Sequence, residues 1–184
     1  MENPHVTRQQ APAEPDSVDA SLEVWGRELP DLDLEIEGIV ERIDKLKRYV
    51  DRAMQETLEA YDLSHGEWKL LANLRWVGPP YRGKPGKLSK RLGLSSGAMT
   101  NRLDNMERRG LIRRIDDPDD RRGVIVELTD EGRRLWDEAV GAQAEKESVV
   151  GQALDTGERE QLNDLLRRMM RAFEAEHGPI HKGE

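Results

Sequence analysis

The sequence contains no cysteine, which excludes disulfides, thiolate metal sites, cysteine nucleophiles and thiol redox sensing. Aromatic residues are scarce at 4%, whereas charged residues make up 36%. A chain of this kind builds a small core and covers its remaining apolar surface by setting helical stripes against a partner. Long hydrophobic runs are missing too. No window approaches the roughly 20 apolar residues of a membrane span, and the opening segment MENPHVTRQQAPAEPDS lacks the apolar centre of a signal peptide. A cytoplasmic protein without membrane attachment is expected. Histidine is rare and scattered: His5 and His65 stand apart, and His177 and His181 flank Gly-Pro-Ile near the chain end, so no metal site is predicted. With no Gly-rich phosphate loop and no nucleophile elbow, neither a cofactor nor a catalytic residue is assigned, and an enzyme is not expected.

What the sequence does hold is charge sorted by position. The 184 residues carry a net charge of −8, but residues 82–122 hold twelve Lys/Arg against six Asp/Glu, a local +6 in an otherwise acidic chain. Distribution, more than the sum, decides whether a protein attracts a polyanion.

The length allows one functional unit with flanking helices. Residues 1–16, with Pro4, Pro12 and Pro15 among polar neighbours, read as a disordered arm. Residues 17–62 read as two helices. The first places Leu22, Trp25 and Leu29 on one face and stops at Pro30; the second keeps Ile36, Ile39, Val40, Ile43, Leu46 and Val50 in 3-and-4 spacing to about Tyr61. Residues 63–129 hold a third helix capped by Ser64 with Glu67 in capping-box spacing, then the loop GPPYRGKPG. A short helix GKLSKRLGL and a longer one, SSGAMTNRLDNMERRG, follow. A hairpin closes the segment, with arms LIRRI and VIVEL flanking the tip DDPDDRRG. Residues 130–177 read as two C-terminal helices, the first reaching about Val150, and 178–184 as a tail.

Helix, Gly-containing turn, helix and basic-tipped hairpin follow the order of a winged helix-turn-helix, a mainly α fold with a small β-wing. Leu88 and Leu92 would anchor the first helix, and Leu94, Ala98, Leu103 and Met106 the buried side of the second. That leaves Ser95, Ser96, Met99, Thr100, Asn101, Arg102 and Asn105 as candidate DNA contacts. Hydroxyls suit phosphates, Asn pairs with adenine, Arg with guanine, and Met or Thr methyls touch thymine. Arg121 and Arg122 at the tip suit the negative potential of a narrow minor groove. The acids Asp116, Asp117, Asp119 and Asp120 read as a solvated turn in which Asp120 braces an arginine.

With these residues in view, the chain resembles the MarR family of dimeric winged-helix transcription factors over nearly its full length. DRRGVIVELT fits that family's wing pattern through Asp120, Arg122, Leu128 and Thr129, and GLIRR followed by DPDDRR is typical of it. The resemblance implies that Asp120 shapes the wing, that Arg122 enters the minor groove, and that a homodimer forms through the N- and C-terminal helices. A narrower resemblance, to the urate- and trans-aconitate-responsive branch, rests on an added N-terminal helix bearing a Trp, on SSGAMTNRLD and on DPDDRRGV. It implies a ligand site involving Trp25, Arg102 and Arg114, with Lys69 standing where the branch carries an Asp. A lysine cannot accept a hydrogen bond from a ligand N–H, so three cations beside an indole fit a small anionic polycarboxylate or phosphorylated metabolite better than urate.

The sequence therefore predicts a homodimeric repressor that binds a pseudo-palindromic operator in double-stranded DNA and is released by a small anionic ligand. The competing expectation is a helical interaction protein whose basic segment docks an acidic protein partner.

Overall fold

The computed structural model describes residues 14–179, except for the side chain of Arg121. Most of the expected arm and tail thus lie outside the described residues, His5 and His181 among them. The chain divides into two compact units, Met1–Asp51 and Arg52–Glu184.

In the first unit, α1 (Asp19–Glu28) is tied down from before its start. Asp16 accepts the backbone N–H of Val18 at 2.7 Å, and its carboxylate meets the Arg42 guanidinium at 2.8 Å. Arg42, on α2 (Leu34–Ala60), also pairs with Asp19 at 2.7 Å. Those guanidinium hydrogen bonds, with the Val18 N–H, hold the Asp16 carboxyl down to about 2. The 3-and-4 spacing of α2 is not satisfied by burial: Ile36, Ile39, Val40, Ile43, Leu46, Tyr49 and Val50 are all exposed.

The second unit is built on α3 (His65–Trp76), α4 (Pro85–Arg91) and α5 (Ser96–Arg108), closed by a three-stranded antiparallel sheet. The Ser64–Glu67 capping box is present at the start of α3. Leu70, Leu71 and Leu74 of α3 meet Leu88 and Leu92, Met99, Leu103 and Met106 of α5, and Leu111, Ile112, Val126 and Leu128 in one core. The sheet order is β1-β3-β2, with β1 (Arg82–Gly83), β2 (Ile112–Asp117) and β3 (Asp120–Leu128). The sequence placed Arg82 and Gly83 in a loop; instead they pair with Glu127 and Val126. Two residues are too few to display a period of two, so only the ladder reveals them.

After β3 the chain turns into α6 (Asp130–Glu147) through a single residue. Thr129 caps α6 by accepting the Gly132 N–H at 3.0 Å, while its hydroxyl reaches the Gly110 carbonyl at 2.6 Å. Gly132 admits no side chain here, since a Cβ would stand 2.1 Å from the Leu111 carbonyl oxygen. The helix expected to reach Val150 is broken: α6 ends at Glu147 and a short α7 (Val149–Ala153) follows. The last helix, α8 (Thr156–His177), opens on a second capping box, Asp155 with Glu158, and exposes Leu162, Leu165, Leu166, Met170 and Phe173.

Candidate nucleic-acid interface

The turn between α4 and α5 follows from a few local bonds. Gly93 adopts φ +63°, a conformation that costs glycine little, and ends α4. The Ser89 hydroxyl donates to the Leu94 carbonyl at 2.8 Å, and the Ser95 side chain accepts the Ala98 N–H at 3.2 Å to start α5. Leu88 and Leu92 are buried, as their one-turn spacing predicts.

The rotation of α5 differs from expectation. Met99 is only 2% exposed and packs in the core with Leu103 and Met106, while Ala98 is exposed. Spacings of four and three from Met99 make one strict helical stripe, and a thioether fills that site better than a methyl group. Met99 is thereby removed from the DNA-contact set. The outward face consists of Ser96, Gly97, Ala98, Thr100, Asn101, Asp104 and Arg108. Asn101 is exposed, and its side chain makes no hydrogen bond with a described residue. Thr100 rests its hydroxyl on the Ser96 carbonyl at 3.0 Å.

Asn105 also departs from the outward role expected of it. Its amide donates to Glu67 Oε1 at 3.0 Å, and its Oδ1 accepts Arg108 Nη1 at 3.1 Å. The side chain braces α5 against α3 and is not presented to a base edge. Glu67 is the centre of this brace: it is 4% exposed, accepts the Ser64 N–H and hydroxyl on Oε2, and receives Arg109 Nη1 on Oε1 at 2.9 Å. Burial pushes its carboxyl upward, but the Ser64 donors and the Arg109 guanidinium outweigh burial and bring it below its ordinary value. Sequence reading found the cap and missed the brace, because the spacing of a capping box is silent about the second carboxylate oxygen.

On the wing, Asp120 Oδ1 accepts the Arg122 N–H at 3.0 Å, and Arg122 is exposed. Arg121 belongs to β3, but its side chain lies outside the described residues. Asp117, read as part of a solvated turn, is instead buried and paired with Lys84. The Lys84 ammonium and the Asp119 N–H hold its carboxyl below the usual range, and the carboxylate in turn raises Lys84. Farther down the wing, Glu127 is buried between Arg113 at 2.8 Å and Arg82 at 3.3 Å.

The residues linked to a ligand fall on several elements. Trp25 is on α1 and exposed. Lys69, half-buried on α3, makes no ion pair with a described residue. Arg102 folds its guanidinium over the first turn of α3, where a Cβ on Gly66 would lie 2.2 Å from Cζ, and it too is unpaired among the described residues. Arg114 is different: Asp104 at 2.6 Å and Glu107 both close on it. Its charge is compensated by α5, so the expected trio of available cations reduces to Lys69 and Arg102. Among the described residues no group of histidines and carboxylates could hold a metal ion, and no helix is long and apolar enough to cross a membrane.

Residues 63–124 match the model of the MarR family. The HTH-type transcriptional regulator PecS of Dickeya dadantii is 33% identical over 148 residues, which span 80% of this chain and 89% of PecS. The crystal structure of the YusO protein from Bacillus subtilis shares the fold with a TM-score of 0.68 at 22% identity, covering 77% of this chain and 99% of YusO. A mutant MarR from E. coli complexed with operator DNA aligns with a TM-score of 0.54 and 27% identity, over 76% of this chain and 99% of that one. Identity of this extent along four-fifths of the chain, carried on the same fold, places the protein in the MarR family of DNA-binding transcriptional regulators.

Proposed function

We propose that the protein is a homodimeric repressor that binds a pseudo-palindromic operator through α5 and the wing and leaves it when a small anionic ligand binds. The observation that carries this reading is the outward face of α5. Ser96, Thr100 and Asn101, whose amide bonds to no described residue, stand exposed on a helix braced from behind by Glu67, within a basic stretch of an acidic chain. Hydroxyls at the helix start suit phosphates, the Asn101 amide suits adenine, and Arg122 with Arg121 suits the minor groove. The exposed apolar residues of α2 and α8 support a second copy of the chain as their cover, which sets two recognition helices about 34 Å apart along DNA. Lys69 and Arg102, which pair with no described residue, supply positive charge for an anion. Such a ligand releases DNA only if it binds the DNA-incompetent state more tightly, because equal affinity shifts nothing.

Fluorescence anisotropy tests this on the protein's own upstream DNA and a shuffled control at two salt concentrations, with urate, trans-aconitate and citrate added in turn. Selective binding, reversed by a tricarboxylate and not by urate, is expected. Arg122→Ala should weaken binding on all sequences and lower the salt slope by about one, whereas Asn101→Ala should change base preference at a single position. Equal binding to both DNAs would favour docking of an acidic protein partner by the basic segment.

A further inference from the structure

The wing is fastened by an ion pair that the DNA-reading residues leave aside. The register of β2 and β3 slips between Asp116 and Asp117. A slip of this kind turns a side chain out of the alternation its strand would impose. Here it carries the Asp117 carboxylate inward, leaving the side chain 1% exposed. Lys84 closes on Oδ2, and the Asp119 N–H donates to Oδ1 at 3.0 Å. Lys84 belongs to a different part of the fold: it is the N-cap of α4, directly after β1. The opposite strand leaves room for the pair only because residue 123 is glycine. A Cβ at Gly123 would stand 2.9 Å from Asp117 Cβ and 3.0 Å from its Oδ2.

We infer that Lys84 and Asp117 form a clasp that positions the wing tip against α4 and thereby sets Arg122 for DNA. Both act as positioning residues, and the second half of the inference rests on the DNA-binding reading above. A two-stranded ladder twists freely along its length and does not by itself fix the direction of its tip. The other buried acid of the sheet, Glu127, pairs with Arg113 and Arg82 at the root of the wing and cannot restrain the far end. Asp117, next to the tip, is tied to the helix-turn-helix through Lys84. Because a buried carboxylate tolerates poorly the loss of its partner, opening the clasp lets Asp117 hydrate and the tip turn with it.

Asp117→Asn separates this inference from plain electrostatics. The amide keeps an acceptor for the Asp119 N–H but removes a negative charge from the basic segment. Charge alone then predicts tighter DNA binding, whereas the clasp predicts binding weaker by roughly tenfold, with a salt slope lower by about one as the wing contact is lost. In the free protein, amide exchange over residues 119–123 should quicken by about tenfold in Asp117→Asn and in Lys84→Gln, with α5 amides unchanged. The exchanged pair Lys84→Asp with Asp117→Lys should recover part of both signals. If Asp117→Asn folds poorly, Gly123→Ala, whose Cβ presses on Asp117 from the facing strand, is expected to give the same two changes. Unchanged exchange at the tip overturns the clasp. Quickened exchange with unchanged or tighter DNA binding overturns its positioning role. A wild-type chain that fails to distinguish operator from shuffled DNA defeats the DNA-binding reading instead, and tip exchange still decides the clasp.

Discussion

Replacing Glu67 by alanine tests the link between the cap of α3 and the rotation of α5. Four donors converge on this carboxylate: the Ser64 N–H at 2.8 Å, the Ser64 hydroxyl at 2.7 Å, Asn105 Nδ2 at 3.0 Å and Arg109 Nη1 at 2.9 Å. Losing half of a capping box costs about 1 kcal/mol. Depriving a partly buried guanidinium and an amide of a charged acceptor costs roughly 1–3 kcal/mol each. The lower end of that range applies to Arg109, which is 26% exposed and keeps Asp62 at 3.4 Å. The total for Glu67→Ala is about 3 kcal/mol, against about 1 kcal/mol for Ser64→Ala, which removes only the cap. Urea unfolding at fixed protein concentration measures both, the concentration being held because association adds stability. If Glu67→Ala costs no more than Ser64→Ala, the brace to α5 contributes nothing and the reasoning is refuted. Acid supplies a second check. The folded carboxyl lies below its ordinary 4.5, so the stability it contributes is complete above pH 4.5 and is lost as the pH falls through the folded value. The stability gap between wild type and Glu67→Gln should therefore close on acidification below pH 4.5.

Gly132→Ala should destabilise by about 2 kcal/mol or more, since its Cβ has nowhere to go but into the Leu111 carbonyl; the urea midpoint measures it, and a neutral result would mean that α6 shifts freely. Met99→Ala should cost about 3 kcal/mol while Ala98→Ser leaves stability within about 0.5 kcal/mol, and the reverse order would restore the rotation of α5 read from sequence. For Asp16, a carbon-detected NMR titration should give a midpoint at about 2, returning toward the ordinary 3.8 in Arg42→Met. The interaction that Asp16 contributes is present above 3.8 and disappears as the pH falls toward that lower value.

Local chemistry makes much of this fold legible in the sequence. Ser64 and Glu67 announced the start of α3, Leu88 and Leu92 the anchors of α4, and the paired apolar arms around DDPDDRRG the wing. The sites that escaped reading were set by contacts distant in sequence. Ala98 and Met99 lie one residue, or about 100° of helix, apart, and choosing the small residue for the interior mixed spacings of four, five and three where the true stripe keeps four and three. Asp117 looked like one of four solvated acids, because a register slip is a property of two strands and leaves no mark on either alone. Asn105 has the chemistry of an adenine reader; only the position of Glu67, 38 residues earlier, turns it inward. Arg114 likewise reads as a free cation until β2 sets it beside Asp104 and Glu107.

The single-residue joint at Thr129 has a mechanical consequence. Its hydroxyl touches the turn that ends α5, its backbone ends the wing, and Gly132 one turn on is wedged against the same turn. A single residue separates the strand from the helix, and both meet the turn after α5. A displacement of α6 at this joint therefore bears directly on the turn that ends α5 and on the root of the wing. Splicing two or three flexible residues after Thr129 would part its hydroxyl from the Gly132 N–H, removing the α6 cap and the coupling together.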